Sequence, residues 1–191
     1  MSDKFDSAGR WVVGTDGSLR ADKAVMWAAT HASQRTVPVP LLLIHAIPES
    51  PIPSAAEQDV INDHTGHKDA VRVKADRLVQ EVATRVRESY PDLVVETAVV
   101  RGHPAQVLAE AGADADQVVV GARGHGVPAL VKMLGGTSEH VVANAQGTVA
   151  VVPEPAEDHL GGPVILGLMT PRRADWPSHA RSRQPRCAAS P

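Results

Sequence analysis

The chain has 191 residues, enough for one domain with a sizeable hydrophobic core. Its net charge of −3 and its aromatic content of only 3% disfavour nucleic acids and anionic membranes as partners. Cys187 is the single cysteine, which favours a reducing compartment, and no signal-like or membrane-spanning apolar run is evident, so we expect a cytoplasmic protein.

The first predicted elements are a strand, a helix and a second strand. The apolar run Trp11–Gly14 predicts the first strand. Ser18 is suited to cap the helix that follows, because a serine hydroxyl accepts a hydrogen bond from the first turn. The apolar residues of this helix recur at helical spacing; they are Ala21, Ala24, Val25, Ala28 and Ala32. Leu41–Ile44 predicts a strand buried on both faces, because apolar and polar residues do not alternate there.

A loop and a long helix are predicted next. The prolines within Pro48–Pro53 interrupt regular structure. We expect His64 and His67 in the same loop as solvated side chains, because no complementary set of Cys, Asp or Glu accompanies them as metal ligands. The helix that follows ends near Tyr90–Pro91. Its predicted inward face consists of Val71, Ala75, Leu78, Val82 and Val86.

Two further strand–helix pairs and a last strand complete the pattern. Val94–Val100 is the third predicted strand, and Pro104 suits the first position of the next helix. The inward residues of that helix are Val107, Leu108 and Ala111. Val118–Val120 is the fourth strand, Glu139–Ala145 lies in the last helix, and Thr148–Val152 is the fifth strand.

Strands separated by helices predict right-handed crossovers and an α/β fold. We predict an open, five-stranded parallel sheet over residues 10–153, in the order 3-2-1-4-5 with helices on both faces, after a short extension at residues 1–9. Residues 154–191 are rich in Pro and Arg and predict a largely disordered tail. Within this tail Gly162–Leu168 is similar to Trp11–Asp16, so it is either an unrelated segment or the truncated start of a second copy.

Glycines cluster between the fourth strand and the last helix, where Gly121 and Gly124 are followed at a distance by Gly135. Glycine lets backbone N–H groups approach an anion closely, and a helix N-terminus adds unpaired donors. The predicted strand order reverses between the first and fourth strands, which is where open parallel sheets bind ligands. The spacing differs from the dinucleotide fingerprint, and Lys132 does not follow the P-loop pattern. The alternative is that these glycines serve only turns and helix packing.

The stretch Val118–Val152 resembles the closing half of universal stress protein domains, whose nucleotide-binding members carry a Gly-x2-Gly-x9-Gly-Ser/Thr pattern. Trp11–Ser18 resembles the opening strand and turn of that family, and Leu43–Ala46 resembles its second strand. Arg101–Pro104 is similar to its third strand-to-helix junction. The resemblance covers residues 10–153.

The resemblance implies that the domain binds an adenine nucleotide, ATP, with or without Mg²⁺. It implies that Asp16 with Gly14 and Thr15 lines the adenosine side, and that Ala46 contacts the adenine after the second strand. The implied phosphate site comprises Gly121, Gly124, Gly135 and Gly136, with Thr137 and Ser138 nearby. The position of Arg123 inside the glycine loop makes it a further candidate phosphate contact. An ordinary turn role for Asp16 and an exposed loop position for Arg123 are the alternatives.

The chain departs from the family pattern at two places. Ten residues rather than nine separate Gly124 from Gly135, and Gly136 stands where the ATP binders of the family have a hydroxyl. We therefore weigh an ATP-binding stress-response regulator without catalytic residues against a slow ATPase or nucleotidyl transferase, and against an interaction protein that binds no nucleotide. The apolar strand Thr148–Val152 at the predicted sheet edge, together with the resemblance, also predicts a homodimer.

Overall fold

The structure is a computed structural model that describes residues 6–48, 64–122 and 135–153, with the side chains of the second range described from residue 70 onward. Most of the predicted proline loop lies outside the described residues. The same is true of Arg123 and Gly124 in the glycine loop and of the predicted tail from residue 154.

Strands and helices alternate along the described ranges. The strands are β1 (Trp11–Gly14), β2 (Leu41–Ile47), β3 (Val95–Arg101), β4 (Gln117–Gly121) and β5 (Val149–Val152). The helices are α1 (Leu19–Ser33), α2 (His64–Ser89), α3 (Pro104–Ala111) and α4 (Gly136–Asn144). None of these described helices is long and apolar enough to cross a membrane.

The five strands form one sheet in the order β3-β2-β1-β4-β5, and every neighbouring pair is parallel. In the register of the sheet, Trp11 at the start of β1 pairs with Leu41 on one side and Gln117 on the other. The predicted order is therefore confirmed. The strand order reverses between β1 and β4, so the helices that follow these two strands pack on opposite faces of the sheet, an arrangement that leaves a crevice in open parallel sheets.

Both faces of the sheet are covered by helices, as predicted. Val13, Leu41 and Leu43 face one core, which also contains buried residues of α1 and α2. Val12, Leu42 and Ile44 face the other core, with buried residues of α3 and α4. Neighbouring residues of one strand therefore enter opposite cores, which is why the β2 sequence is apolar without alternation.

The predicted starts of two helices are confirmed. The Ser18 hydroxyl accepts a hydrogen bond from the Ala21 N–H at 3.1 Å, and the whole predicted stripe of α1 is buried. Pro104 is the first residue of α3, where its missing N–H costs no helical hydrogen bond. These signals are local, which is why the sequence shows them.

The start of the long helix differs from the prediction. α2 begins at His64, so His64 and His67 lie in its first turns rather than in a loop. The side chain of Val71 is 37% exposed, whereas the later stripe residues Ala75 and Val82 are buried. With 26 residues, α2 is about 39 Å long, whereas the 7-residue strand β2 is about 23 Å long. A helix longer than the sheet extends past its edge, which explains the exposure of Val71.

The second strand is longer than predicted. It continues through His45 and Ala46 to Ile47, because each of these residues pairs with β3 as far as Arg101. Ala46 therefore lies within β2 and not after it. The polar His45 interrupts the apolar run and made the strand look shorter in the sequence.

Candidate functional site

A crevice of about 280 Å³ opens at the carboxyl edge of the sheet, where β1 lies between β2 and β4. Nine residues predicted for the site line it: Gly14, Thr15, Asp16, Ala46, Gly121, Gly135, Gly136, Thr137 and Ser138. The prediction missed Ala21, Ile44, His45, Pro104, Leu108 and Val120, which line it as well. Segments far apart in the sequence therefore meet at this crevice.

The turn after β1 forms one wall and is held by its own polar side chains. The Thr15 hydroxyl accepts from the Gly17 N–H at 3.2 Å, and a carboxylate oxygen of Asp16 accepts from the Ser18 N–H at 3.0 Å. Gly17 has a φ of +74°, and a Cβ there would lie 2.7 Å from a methyl group of Leu78. Asp16 thus has the turn role that was one of its two interpretations, and it also lines the crevice.

The floor of the crevice depends on close packing at Gly14. A Cβ at this position would lie 2.6 Å from the Cδ1 atom of Leu108 in α3. Glycine therefore lets α3 pack directly against the end of β1. Leu108 is buried and supplies an apolar surface beside Ile44.

His45 is a lining residue that the sequence prediction passed over. Its Nδ1 atom lies 2.9 Å from the Thr15 carbonyl oxygen. Since a carbonyl oxygen only accepts, Nδ1 carries the proton, and Nε2 of the neutral ring is then an acceptor. The sequence offered one signal for this residue: it directly precedes Ala46 at the carboxyl end of a central strand.

The opposite wall is the N-terminus of α4. Gly135 is the N-cap residue and has no side chain with which to cap the helix. The first intrahelical hydrogen bond runs from the Glu139 N–H to the Gly135 carbonyl at 2.9 Å. The N–H groups of Gly136, Thr137 and Ser138 precede it in a helical turn that supplies them with no acceptor. These three residues line the crevice, so backbone donors and the positive end of the helix dipole lie at this wall.

Ser138 holds the base of the glycine loop together. Its side chain is buried, and its hydroxyl lies within hydrogen-bonding distance of the carbonyl oxygens of Ala122 and Gly135, at 2.9 and 3.0 Å. It also accepts from the Gly135 N–H at 3.1 Å, and that N–H lies 2.6 Å from the Ala122 carbonyl oxygen. The hydroxyl is therefore engaged with the backbone on both sides of the loop, which makes Ser138 a positioning residue.

Gly136 faces open space. Among the described residues, no neighbouring atom would lie within 4 Å of a Cβ built at this position. The hydroxyl-bearing side chain found there in the family pattern would therefore fit without displacing a neighbour. Thr137, which is exposed beside it, places a hydroxyl-bearing side chain on the same turn.

The chemistry of the crevice changes from one end to the other. Ile44, Ala46 and Leu108 make its β2 side apolar, whereas its α4 side presents backbone N–H groups. Among the described lining residues Asp16 is the only carboxylate. In the described part of the chain, no three His, Cys, Asp or Glu side chains are grouped so that they would hold a metal ion.

Comparison with known proteins places this geometry in a family. The universal stress protein family matches residues 9–153 of the chain. A universal stress protein of Mycobacterium tuberculosis is 30% identical over 170 residues, which cover 82% of this chain and 53% of that protein. The chain thus spans about half the length of the curated relatives it matches.

Solved structures show the same fold. UspA from Lactobacillus plantarum has a TM-score of 0.56 and 24% sequence identity, over 76% of this chain and 99% of that one. The universal stress protein from Archaeoglobus fulgidus in complex with dAMP has a TM-score of 0.52 and 19% identity, over 76% and 98% of the two chains. Both structures therefore share the architecture of the sheet that carries the crevice.

Proposed function

The chain belongs to the universal stress protein family, and from that premise we propose that it binds ATP in the crevice between β1 and β4 and acts as a stress-response regulatory protein. One observation carries the proposal. A single crevice joins an apolar end to a wall of helix-terminal N–H groups, which is the division of chemistry that a nucleotide presents.

The base and the ribose would occupy the β2 side of the crevice. Ile44, Ala46 and Leu108 offer apolar surface to a planar adenine ring. The Asp16 carboxylate, in the turn after β1, would accept a hydrogen bond from a ribose hydroxyl. The protonated Nδ1 of His45 is bonded to Thr15, so His45 would offer the base an acceptor at Nε2.

The phosphates would lie on the α4 side. The N–H groups of Gly136 and Thr137 are donors that the helix itself does not use, and charge-assisted hydrogen bonds to phosphate are stronger than neutral ones. Arg123 and Gly124, which lie outside the described residues, would complete the site. A Mg²⁺ ion would fit as an ion held mainly by phosphates and water, because Asp16 is the only described carboxylate that lines the crevice.

The relatives support an adenine nucleotide as the class of ligand. The Archaeoglobus fulgidus protein was solved with dAMP. That the ligand is ATP rather than a monophosphate is the more specific part of the proposal. It depends on the backbone N–H groups at the N-terminus of α4 that can donate to phosphates. The regulatory role in stress depends on family membership.

Equilibrium binding of ATP to the full chain tests the proposal directly. ATP at a hundred times its dissociation constant should stabilise the folded protein by about 2.7 kcal/mol and raise its Tm accordingly. Gly124→Val should remove this shift because its side chain would occupy phosphate space. Ala113→Val, which adds a side chain of the same size in an exposed turn at the other edge of the sheet, should keep it.

The alternatives predict different results. Absence of nucleotide binding in calorimetry would replace this proposal with an interaction protein that binds no nucleotide. Steady release of ADP, or transfer of a nucleotidyl group, would instead establish a slow enzyme, provided that Gly124→Val loses this activity.

We also propose that the protein forms a two-fold dimer through β5. This strand lies at the edge of the sheet beyond β4. The carbonyl groups of Thr148 and Val152 accept hydrogen bonds from β4 and its following residue. By the alternation of a parallel ladder, the backbone groups of Val149 and Val151 point away from β4, toward a second strand.

Val151→Pro tests this interface because it removes an outward N–H and keeps the ladder to β4. We expect the variant to be a monomer in light scattering, and wild type to be a dimer. An unchanged mass for the variant, or a monomeric wild type, would contradict the interface.

A further inference from the structure

Two histidines that the proposed site does not use lie close together on the α3–α4 face. The ring centroids of His103 and His140 are 6.5 Å apart, with 59° between the ring planes. His103 is the N-cap residue of α3, and His140 lies in the second turn of α4. Both helices follow strands of a parallel sheet, so both begin at the carboxyl edge.

This pair is next to the phosphate side of the crevice. Pro104, which follows His103 directly, lines the crevice. His140 is one turn beyond Gly136 on the same face of α4, and side chains of a helix lean toward its N-terminus. A side chain at position 140 is therefore expected to lean toward the turn that carries Gly136, where no described neighbour lies within 4 Å of a Cβ built on that glycine.

The two imidazoles have chemistry that suits a phosphoryl group. The His103 side chain makes no hydrogen bond to the first turn of α3, so capping does not account for its presence there. An imidazole donates an N–H from one nitrogen when neutral and from both when protonated. A terminal phosphoryl group has three acceptor oxygens and can accept from two donors that approach it from neighbouring helices.

We propose that His103 and His140 contact the outermost phosphate of the bound nucleotide, and that they make the crevice prefer nucleoside triphosphates to monophosphates. This inference rests on the proposed function, because it names the residues that contact the outermost phosphate of the same nucleotide. In this proposal the phosphate of AMP lies at the N–H groups of Gly136 and Thr137, and only the outermost phosphate of ATP extends to the two rings, which are not among the residues that line the crevice.

The test measures the dissociation constants of ATP and AMP for the full chain at one fixed pH by calorimetry. His103→Asn keeps a residue suited to the N-cap position, and His140→Gln keeps a good helix former. In the double variant the affinity for ATP should fall by about tenfold or more, since charge-assisted hydrogen bonds are lost. The affinity for AMP should stay at the wild-type value.

His31→Gln is the matched control, since it removes an imidazole outside the crevice. His31 lies ten residues beyond Ala21 on α1, which is about 15 Å along the helix axis. Its ring stacks on Trp27 with centroids 4.1 Å apart. The ratio of ATP to AMP affinity should be unchanged in this variant, whatever the effect on Tm.

Four results would overturn the inference. Unchanged affinities for both nucleotides in the double variant, even with a lower Tm, would mean that the rings only pack the two helices together. An equal loss of affinity for ATP and AMP would mean that the pair shapes the site as a whole. If wild type binds neither nucleotide, the proposed function fails together with this inference, whereas binding of AMP without a preference for ATP overturns only the inference.

Discussion

The amino edge of the sheet, where its parallel strands begin, and the carboxyl edge, where they end, differ in how their polar groups are paired. At the amino edge, Arg10 forms ion pairs with Asp6 at 2.9 Å and with Glu96 at 3.3 Å. Ala8 and Ala115 form an antiparallel bridge beside them. The polar groups named here are partnered within the chain.

At the carboxyl edge the chain instead uses residues with small or no side chains. The lack of a side chain at Gly14 lets Leu108 pack at the floor of the crevice. Gly135, the N-cap residue of α4, has no side chain that could accept a hydrogen bond from the first turn. Backbone donors at this edge therefore face the crevice. Under the proposed function, ligand binding depends on the carboxyl edge and the amino edge serves stability, so most substitutions should affect one property more than the other.

The largest effect is expected at the amino edge, from Gly147→Ala. A Cβ at Gly147 would lie 2.7 Å from the backbone oxygen of Gly112, which cannot rotate away as a side chain can. The free energy of unfolding should fall by about 3 kcal/mol, measured by chemical denaturation. The affinity of the folded variant for ATP should remain unchanged. A loss of affinity without a loss of stability would reverse the assignment of the two edges.

Ser138→Ala should affect both properties because it removes the hydroxyl at the base of the glycine loop. The loss of buried hydrogen bonds should lower the free energy of unfolding by about 2 kcal/mol. ATP affinity should also fall, although the hydroxyl itself is engaged with the backbone. Ser89→Ala is the control, because it removes a helical hydroxyl bonded to the Arg85 carbonyl at 3.1 Å outside the crevice. Full ATP affinity in Ser138→Ala would contradict the positioning role.

Gly136→Ser should change binding alone. The new side chain enters open space, so stability should stay close to that of wild type. One added hydrogen bond to a phosphate should improve binding by about 1.5 kcal/mol, roughly tenfold in Kd. Calorimetric titration with ATP measures this directly. If affinity does not rise, the N–H groups and Thr137 already satisfy the phosphate at this position.

The smallest effect concerns the exposed ion pair at the amino edge. A hydrogen bond from Arg10, with the Ala8 N–H and the charge of Arg10 adding to it, holds the pKa of Asp6 below its ordinary value. A depressed carboxyl pKa stabilises the fold above the unfolded value of about 3.9, and this contribution is lost as the pH falls through the lower folded value. In Arg10→Gln an NMR titration should show the pKa of Asp6 rising toward its ordinary value, without a change in ATP affinity. An unmoved pKa would show that the Ala8 N–H alone sets it.

Local signals explain what the sequence predicted well. The cap at Ser18, the proline that begins α3 and the apolar runs of the strands each depend on a few neighbouring residues. Given the predicted order 3-2-1-4-5, the position of the crevice followed from the rule that open parallel sheets bind ligands where the strand order reverses. Asp16 and Gly121, which this rule predicts to face one crevice, both line it.

Contacts between distant segments explain what the sequence could not show. Leu108 reaches the crevice only because α3 crosses the end of β1, and no local pattern of α3 indicates this contact. His45 is fixed by the carbonyl of Thr15, thirty residues away in the chain. The start of α2 at His64 was missed because no apolar repeat marks the part of the helix that extends past the sheet.

The hydrogen bond between Gly135 and Ala122 affects how freely the segment between them can vary in length. This bond joins the described residues on either side of positions 123–134, so the two ends of that segment are held together. Lengthening such a closed segment by one residue changes its closure entropy by less than about 0.1 kcal/mol. The extra residue relative to the family spacing therefore carries almost no thermodynamic penalty. The spacing between Gly124 and Gly135 can therefore differ from the family pattern with little change in the free energy of unfolding.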